Sequence, residues 1–413
     1  MFTILKNGHI CAPQELGVRD VLLADRSVAY LADRIDPAPA YGATEVYDVT
    51  GCFVVPGFID QHVHLIGGGG EGGFATRTPE VMLSDLTTAG ITTVVGTLGT
   101  DSVTRHMESL LAKARGLEEE GISTWIYSGA YPTSSPTLTG SLRSDIILID
   151  KVVGGKVAMS DHRSAQPSKE ALARMAAEAR VGGMLSGKAG VLHIHTGDGS
   201  RRLNWLFEIV AETELPITQF TPTHLNRNPE LLLEGIRFAK AGGMLDFTTG
   251  SPAVRSSRPR PSEVVKICMD AGVPLDRISM SSDGNGSMPA FNRKGELTGL
   301  VAASPRSLYE ALREIVRAGI LPLPDALCLV TTNPAASLKL PRKGRIVPGG
   351  DADIVVLDAD LTIRHVFAKG RCLVKDGQAV VRGTFESHPA VGAGAQVPAS
   401  KGGKAGRGAR KED

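Results

Sequence analysis

The fold turns on FVVPGFIDQHVHL, residues 53–65, an apolar strand-like run that ends in the polar set Asp60, Gln61, His62 and His64. Seven further runs of similar texture follow: ITTVVGTLG (91–99), STWIYSGAY (123–131), GKVAMSD (155–161), GVLHIHTG (190–197), PITQFTPTH (216–224), GGMLDFTTG (242–250) and RISMSSDG (277–284). They recur at roughly 30-residue intervals, the length of one strand–helix unit. The segments between them carry helix signals. Thr78-Pro79 and Ser304-Pro305 place a cap before a first-turn proline, and Ser168 and Ser262 sit at N-cap positions. After Gly199, the residues Leu203, Leu206, Ile209 and Val210 form a one-sided apolar stripe. Eight such units predict an α/β chain with a (β/α)8 TIM-like barrel. No GxGxxG turn follows the first run, which argues against an open dinucleotide-binding sheet.

Outside the barrel the texture changes. Residues 1–55 read as short strands (FTILKNGHIC, DVLLAD, SVAYLAD, EVYDVTGCFVVP), and the same alternation returns in GRIVPGGDADIVVLDADLTIRHVFAKGRCLVKDGQAVVRGTF near the end. The expectation is a small β-sandwich domain made from both chain ends, 1–55 with 342–386, beside a barrel over 56–341. Joining strands across the barrel costs only a slowly growing loop entropy. From 387 to 413 the Gly/Ala/Lys-rich sequence reads as a disordered tail.

Hydrophobic residues make up 42% of the 413, enough for a folded core. Lys plus Arg number 45 against 44 Asp plus Glu, a net charge of +1. The tail holds Lys401, Lys404, Arg407, Arg410 and Lys411 against Glu412 and Asp413, a surplus of three positive charges that leaves the body at −2. A general basic face for nucleic acid is thereby excluded. No apolar run nears the ~18 residues of a membrane helix, and the opening MFTILKNGHICAPQ lacks a signal-peptide layout, so no membrane partner is expected. Cys11, Cys52, Cys268, Cys328 and Cys372 are scattered and odd in number, which points to a reducing cytoplasm rather than a disulfide framework or a CxxC metal site.

In a strand, positions i and i+2 project to one side, so His62 and His64 can converge on one ion. HxH alone is a weak signal. Its weight comes from the other run ends, where His195, His224 and Asp283 all fall at the barrel's C-terminal rim, the usual place for a TIM-barrel active site. Five such ligands exceed one tetrahedral ion with an open position, so two ions and a bridge are expected. Lys156, on the fourth run, faces the same mouth. An ammonium beside two cations is repelled, whereas a carbamate made with CO2 is a bidentate anion able to bridge both. The bland alternative is a neutral or salt-bridged barrel lysine. Charge favours the carbamate: together with Asp283 and a bridging hydroxide it leaves two divalent ions with a single net positive charge. His193, two residues before His195, reads as a core histidine, and His106 and His162 match no ligand position. Cys52 and Cys268 read as small buried hydrophobes.

Taken together, PGFIDQHVHLIGGGGEGG, TRTPE, GTDSVTRHMESLLAK, SGAY, KVAMSDHRSA, HTGD, PTHLNRN, SSDGNGS and PGGDADIVVL resemble the amidohydrolase superfamily, and within it the isoaspartyl dipeptidases (β-aspartyl peptidases), over essentially 1–386. HxH and the Asp-bearing strand are shared across that superfamily, whereas GGGGE, SDHRS, THxNRN and SDGNGS are narrower. The resemblance implies two Zn2+ per subunit on His62, His64, Lys156, His195, His224 and Asp283, bridged by N6-carboxylated Lys156 and a hydroxide. It implies a zinc metallo-dipeptidase that splits β-aspartyl dipeptides into aspartate and a free amino acid. It also implies a homo-oligomer, commonly an octamer.

The resemblance further places Gly69 and Glu71 of the glycine loop, Thr100, Tyr131, Arg163, Arg227 and Ser287 around the dipeptide. These residue types suit a substrate with one ammonium and two carboxylates around an amide. Glu71 can pair with the ammonium, and Arg163 and Arg227 offer planar forks for carboxylate. Thr100 and Ser287 can complete the hydrogen bonds to the aspartyl head. Tyr131 can donate its hydroxyl to the scissile carbonyl oxygen as negative charge develops there, and Asp283 can carry a proton from nucleophile to departing amine. GGGGEGG lacks the Lys-Ser/Thr of a phosphate-binding loop. Two rivals stand beside this reading: a cyclic-amide amidohydrolase of the dihydroorotase or hydantoinase kind, and a non-catalytic amidohydrolase-fold scaffold. The HxH, Lys and Asp ligands fit the first equally well, but Glu71 with paired Arg163 and Arg227 favours the dipeptide. The presence of all six ligand types argues against the second.

Overall fold

The computed structural model describes residues 2–37, 42–250, 259–291 and 297–386; the tail expected to be disordered, 387–413, lies outside the described residues. Six parallel strands lie side by side in chain order: β1 (Phe58–Val63), β2 (Ile91–Gly96), β3 (Ser123–Gly129), β4 (Val152–Met159), β5 (Val191–Thr196) and β6 (Phe220–Thr223). A further parallel pair is formed by β7 (Leu245–Thr248) and β8 (Ile278–Ser281). Hydrogen bonds span the two remaining seams. Leu225 N donates to Asp246 O at 3.2 Å between the β6 and β7 segments, and His64 N donates to Gly284 O at 2.8 Å between the ends of β1 and β8. The result is an α/β fold of the TIM-barrel type, and each of the eight strand-like runs holds one of its strands. The first run is broken, however. Its opening, Phe53–Pro56, belongs to a different sheet, and the change falls at Gly57, where a Cβ would collide with the Thr92 side chain.

Among the helices, Ser168 caps Lys169–Ser186 by accepting from Ala171 N at 3.2 Å. Leu203, Leu206 and Ile209 are buried at and along Asn204–Glu212, as the stripe requires. Two expected helix starts are displaced. The helix after Thr78-Pro79 begins only at Leu83, because the Thr78 hydroxyl is taken by the glycine loop: it accepts from Gly68 N at 2.6 Å and donates to Asn285 O at 2.5 Å. The helix Pro261–Asp270 starts ahead of Ser262, whose hydroxyl instead donates to Glu314 Oε1 at 2.7 Å. No helix among the described residues is long and apolar enough to cross a membrane.

Strands from both chain ends meet in one nine-stranded sheet. Phe2–Cys11, Glu15–Ala24, Ser27–Ala32, Thr44–Asp48 and Phe53–Pro56 come from the N-terminal side, and Ile354–Leu357, Ile363–Ala368, Arg371–Lys375 and Gln378–Ala379 from the C-terminal side. The seam is the antiparallel pair Phe53–Pro56 with Ile354–Leu357, Val55 opposite Val355. Period-two alternation divides these strands between two cores. Val54, Ile354 and Val356 pack with Leu5, Ile10 and Phe367, while Val55, Val355 and Leu357 join the core of the barrel. Each such fully buried side chain contributes about 1.5–3 kcal/mol relative to exposure, so the same strands fix the sheet to the barrel.

Within the barrel, one layer below the C-terminal mouth, Asp246 is fully buried. It accepts from Gln61 Nε2 at 2.6 Å, Ser279 Oγ at 2.8 Å, Ser281 Oγ at 2.7 Å and Thr223 Oγ1 at 2.5 Å. Burial raises its pKa, and the four donors oppose that rise. The network ties β1, β6, β7 and β8 together directly beneath the histidines at the strand ends.

Candidate active site

The strand ends bring the expected metal ligands into one buried cluster. His62 sits near the end of β1 with His64 just past it, His195 near the end of β5, His224 directly after β6, and Asp283 two residues beyond β8. Lys156 lies within β4, fully buried and opposite His193 in the parallel register. Asp283 Oδ1 is 3.1 Å from His64 Nε2 and 3.5 Å from His62 Nε2, and these three residues form a group able to hold a metal ion. Lys156 Nζ stands 3.4 Å from His62 Nε2. The His224 ring lies 5.0 Å from that of His62 and 4.6 Å from that of His195, centroid to centroid. His224 and Asp283 both adopt left-handed backbone, with φ of 64° and 56°. Strain of that kind, of order 1 kcal/mol or more per residue, gathers at functional sites.

The electrostatics suit cation binding. Burial holds the pKa values of His62, His195 and His224 well below the ordinary histidine value, reinforced by Arg227 at His195 and His224 and opposed at His195 by its hydrogen bond to Asp161. All three rings are therefore neutral at pH 7 and carry a bare nitrogen, the form a metal requires. Burial also lowers Lys156 to about 7, so much of its amine is unprotonated near neutral pH. Among the described residues, His64 Nδ1, His224 Nε2 and Asp283 Oδ1 are buried without a hydrogen-bond partner. Leaving such atoms unmatched costs ~1–3 kcal/mol each, and an ion would satisfy His224 Nε2 and Asp283 Oδ1. The donor set thus fits divalent metal. His195 is already engaged: Nε2 lies 2.7 Å from Asp161 Oδ2 and Nδ1 2.8 Å from the Tyr131 hydroxyl, so it must exchange a partner to take up an ion.

Charged side chains rim this cluster. Arg163, in the loop after β4, grips Asp161 with two bonds, Nε to Oδ1 at 3.0 Å and Nη2 to Oδ2 at 2.8 Å. Its Nη1 donates to Glu71 Oε1 at 3.2 Å, and Thr100 Oγ1 donates to the same oxygen at 2.9 Å. Glu71 and Arg163, both partly exposed, therefore close an ion pair between the glycine loop and the β4 side of the mouth. Arg227 Nη2 is 3.3 Å from His195 Nε2, while its buried Nε has no partner among the described residues. Burial pushes the Tyr131 phenol well above its ordinary range, so it keeps its proton and serves as a donor. Gly69 has φ of 72°, and a Cβ there would stand 2.6 Å from Thr76 O and 3.0 Å from Ser287 Cβ. Glycine is thus needed where the loop meets Ser287, the first residue of the strand Ser287–Phe291.

Sequence reading passes over Asp161, although it lies inside SDHRS. Against the upward push of burial, hydrogen bonds from His195 and Arg163 hold its carboxyl far below the usual range. The available signal was positional: an acid closing the fourth run, two residues before an arginine.

A profile of the amidohydrolase family matches residues 53–380. The crystal structure of β-aspartyl dipeptidase from the thermophilic, keratin-degrading Fervidobacterium islandicum AW-1, in complex with β-Asp-Leu, is similar at 43% identity and a TM-score of 0.86, covering 92% of this chain and 97% of that one. Dihydropyrimidinase from Brevibacillus agri NCHU1002 shares the fold at 17% identity and a TM-score of 0.66, over 93% of this chain and 97% of that one. Adenine deaminase from Halalkalibacterium halodurans is 23% identical over 92% of this chain, which spans only 58% of that protein's length. With a family match over most of its length and a close relative covered almost end to end, the chain belongs to the amidohydrolase family and, within it, to the β-aspartyl dipeptidases.

Proposed function

We propose that this chain is a zinc metallo-dipeptidase that hydrolyses β-aspartyl dipeptides to aspartate and a free amino acid. The observation that carries this reading is the frame of Glu71, Arg163 and Arg227 set around a buried cluster of neutral histidines and Asp283. An ammonium matches Glu71, and carboxylates match the Arg227 guanidinium and the Nη1 side of Arg163 that Glu71 now occupies. The β-Asp-Leu complex of the 43% identical relative supports the same substrate class.

His62, His64, His195, His224 and Asp283, with Lys156 as an N6-carbamate, would hold two Zn2+ ions. Such a pair, when bound, supplies a water ionised near neutral pH and a positive field at the scissile carbonyl. The chain's own residues do the remaining work. An Asp283 carboxylate oxygen takes the nucleophile's proton and returns it to the departing amine nitrogen. The Tyr131 hydroxyl donates to the carbonyl oxygen as charge grows there, a contribution of ~10²–10³ in rate for one such donor. Glu71 holds the ammonium, Thr100 and Ser287 complete the hydrogen bonds to the aspartyl head, and Gly69 lets the loop close over it. The lowered pKa of Lys156 supports the carbamate, because only an unprotonated amine adds to CO2.

The wider proposal treats 1–55 with 342–386 as a small β-sandwich domain beside a 56–341 barrel, supported by the separate core around Leu5, Ile10 and Phe367. It also includes assembly as a homo-oligomer, most simply an octamer, acting in the cytoplasm, where the five unpaired cysteines are at home. The deciding experiment compares hydrolysis of β-Asp-Leu and α-Asp-Leu with and without a chelator. Chelator-sensitive preference for the β isomer is expected, whereas efficient opening of dihydroorotate with no dipeptide cleavage would transfer the site to the cyclic-amide reading.

A further inference from the structure

His193 has no solvent exposure, and sequence alone reads it as core. Its contacts are more specific than filling requires. His193 Nε2 lies 2.8 Å from His62 Nδ1, and His193 Nδ1 lies 3.2 Å from Thr221 Oγ1. The Thr221 hydroxyl in turn donates to the Leu192 carbonyl oxygen at 3.4 Å. The Tyr127 ring stacks on His193 at 4.6 Å with 4° between the planes. The imidazole is thus clamped, and three hydrogen bonds run in line from His62 to the backbone of β5.

The far end of this line favours one direction. With the Thr221 O–H turned to the Leu192 carbonyl oxygen, which can only accept, a hydroxyl lone pair faces His193. His193 then carries its proton on Nδ1, leaves Nε2 bare, and accepts from His62 Nδ1–H. His62 Nε2 is left without a proton on the side facing Lys156 Nζ at 3.4 Å and Asp283 Oδ1 at 3.5 Å. The reverse polarity would protonate His62 Nε2 and block ligation. His224 shows the same arrangement, with Nδ1 bonded to Thr248 Oγ1 and a buried Nε2 that has no partner among the described residues.

We propose that His193 is a positioning residue: with Thr221 and the Leu192 carbonyl it locks His62 in the Nδ1-protonated tautomer and in the ring orientation that presents Nε2 to metal. This rests on the reading of His62 as a zinc ligand. Outer partners of metal-bound histidines typically govern affinity by ~10–100-fold.

The test is the zinc affinity of the full chain, measured by competition with a chromophoric chelator, with melting of the metal-free proteins followed alongside. His193→Phe keeps a ring against Tyr127 but has no acceptor, and His193→Gln restores an acceptor near the Nε2 position. His193→Phe should bind zinc ~10–100-fold more weakly, and His193→Gln should stay within about threefold of wild type. Wild-type affinity in His193→Phe would overturn the assignment. So would equal losses in both variants, which would make His193 a packing residue. Should His193→Phe not fold, Thr221→Val removes the far end of the line without touching His193; weakened zinc binding supports the assignment and unchanged binding overturns it. Wild-type protein with no measurable zinc affinity would overturn the metal reading itself and this assignment with it, whereas intact wild-type affinity beside unaffected variants overturns this assignment alone.

Discussion

Replacing Lys156 with alanine removes every side-chain atom from Cγ to Nζ at a position with no solvent exposure, so bulk water cannot simply fill in for the lost group. On the proposed reading, a carbamate on Lys156 would contribute one of the few negative charges beside two divalent ions, in a site that already holds Arg163 and Arg227 close to His195. The Lys156 Nζ to His62 Nε2 distance of 3.4 Å sets the scale of the interaction. One uncompensated unit charge at ~4 Å costs about 4 kcal/mol at an effective dielectric of about 20. That corresponds to roughly three orders of magnitude in retention of an ion. Lys156→Ala should therefore fall from about two ions per chain to about one or fewer after dialysis, and kcat for β-Asp-Leu should fall at least ~10²-fold. Acetate or propionate, which can enter the vacated channel and supply a carboxylate, should restore part of both. Metal analysis, steady-state rates and a titration with short carboxylic acids check each element. Two retained ions and unchanged kcat, without any added acid, would refute the bridge.

Further expectations follow from the same geometry. Asp283→Asn should reduce kcat at least ~10²-fold, with metal content measured alongside because an amide is also a poorer ligand; a change of only a few-fold at full occupancy would remove the proton-carrying role. β-Asp-Leu should be cleaved at least ~10²-fold better than α-Asp-Leu by kcat/KM, because the α isomer, held by the same charged frame, misplaces its carbonyl by about an ångström. Arg227→Met should lower kcat/KM for β-Asp-Leu while leaving bound metal in place; equal rates on the two isomers would count against the frame. Asp246→Ala strips the acceptor from four buried donors and should cost about 3 kcal/mol or more of stability, read by urea unfolding. A loss below about 1 kcal/mol would show that the layer beneath the site repacks freely.

The barrel strands were legible because strands buried on both faces are near-continuous apolar runs, and GVLHIHTG or ITTVVGTLG admit little else. His62 and His64 were legible through the two-residue repeat, although His64 lies just past β1. The break at Gly57 was not: Val54 and Ile59 look alike in sequence, yet one faces the end-strand core and the other the barrel's interior cluster. Nor was the Thr78 hydroxyl's commitment to the glycine loop, which cancels a plausible helix start through partners 10 and 207 residues away. The antiparallel pair Ser287–Phe291 with Leu297–Ala302 was hidden by Pro289, a residue that ordinarily weighs against a strand. Asp161 and His193 were visible as residues, but their roles depend on which atom faces which, and spacing along a chain carries no such information.

The Glu71–Arg163 ion pair lets two opposite charges at the mouth satisfy each other within the chain. On the proposed reading, admission is a trade of partners, in which a ligand must return to each of these groups the opposite charge it takes away. A free dipeptide, with its ammonium and carboxylates, can complete that trade. An isoaspartyl linkage inside an intact protein has no amine at that point, so it would part Glu71 from Arg163 and leave the glutamate stranded. On that reading the site would admit only fragments with a free amino group on the isoaspartyl residue, which proteolysis of a damaged protein would first have to supply.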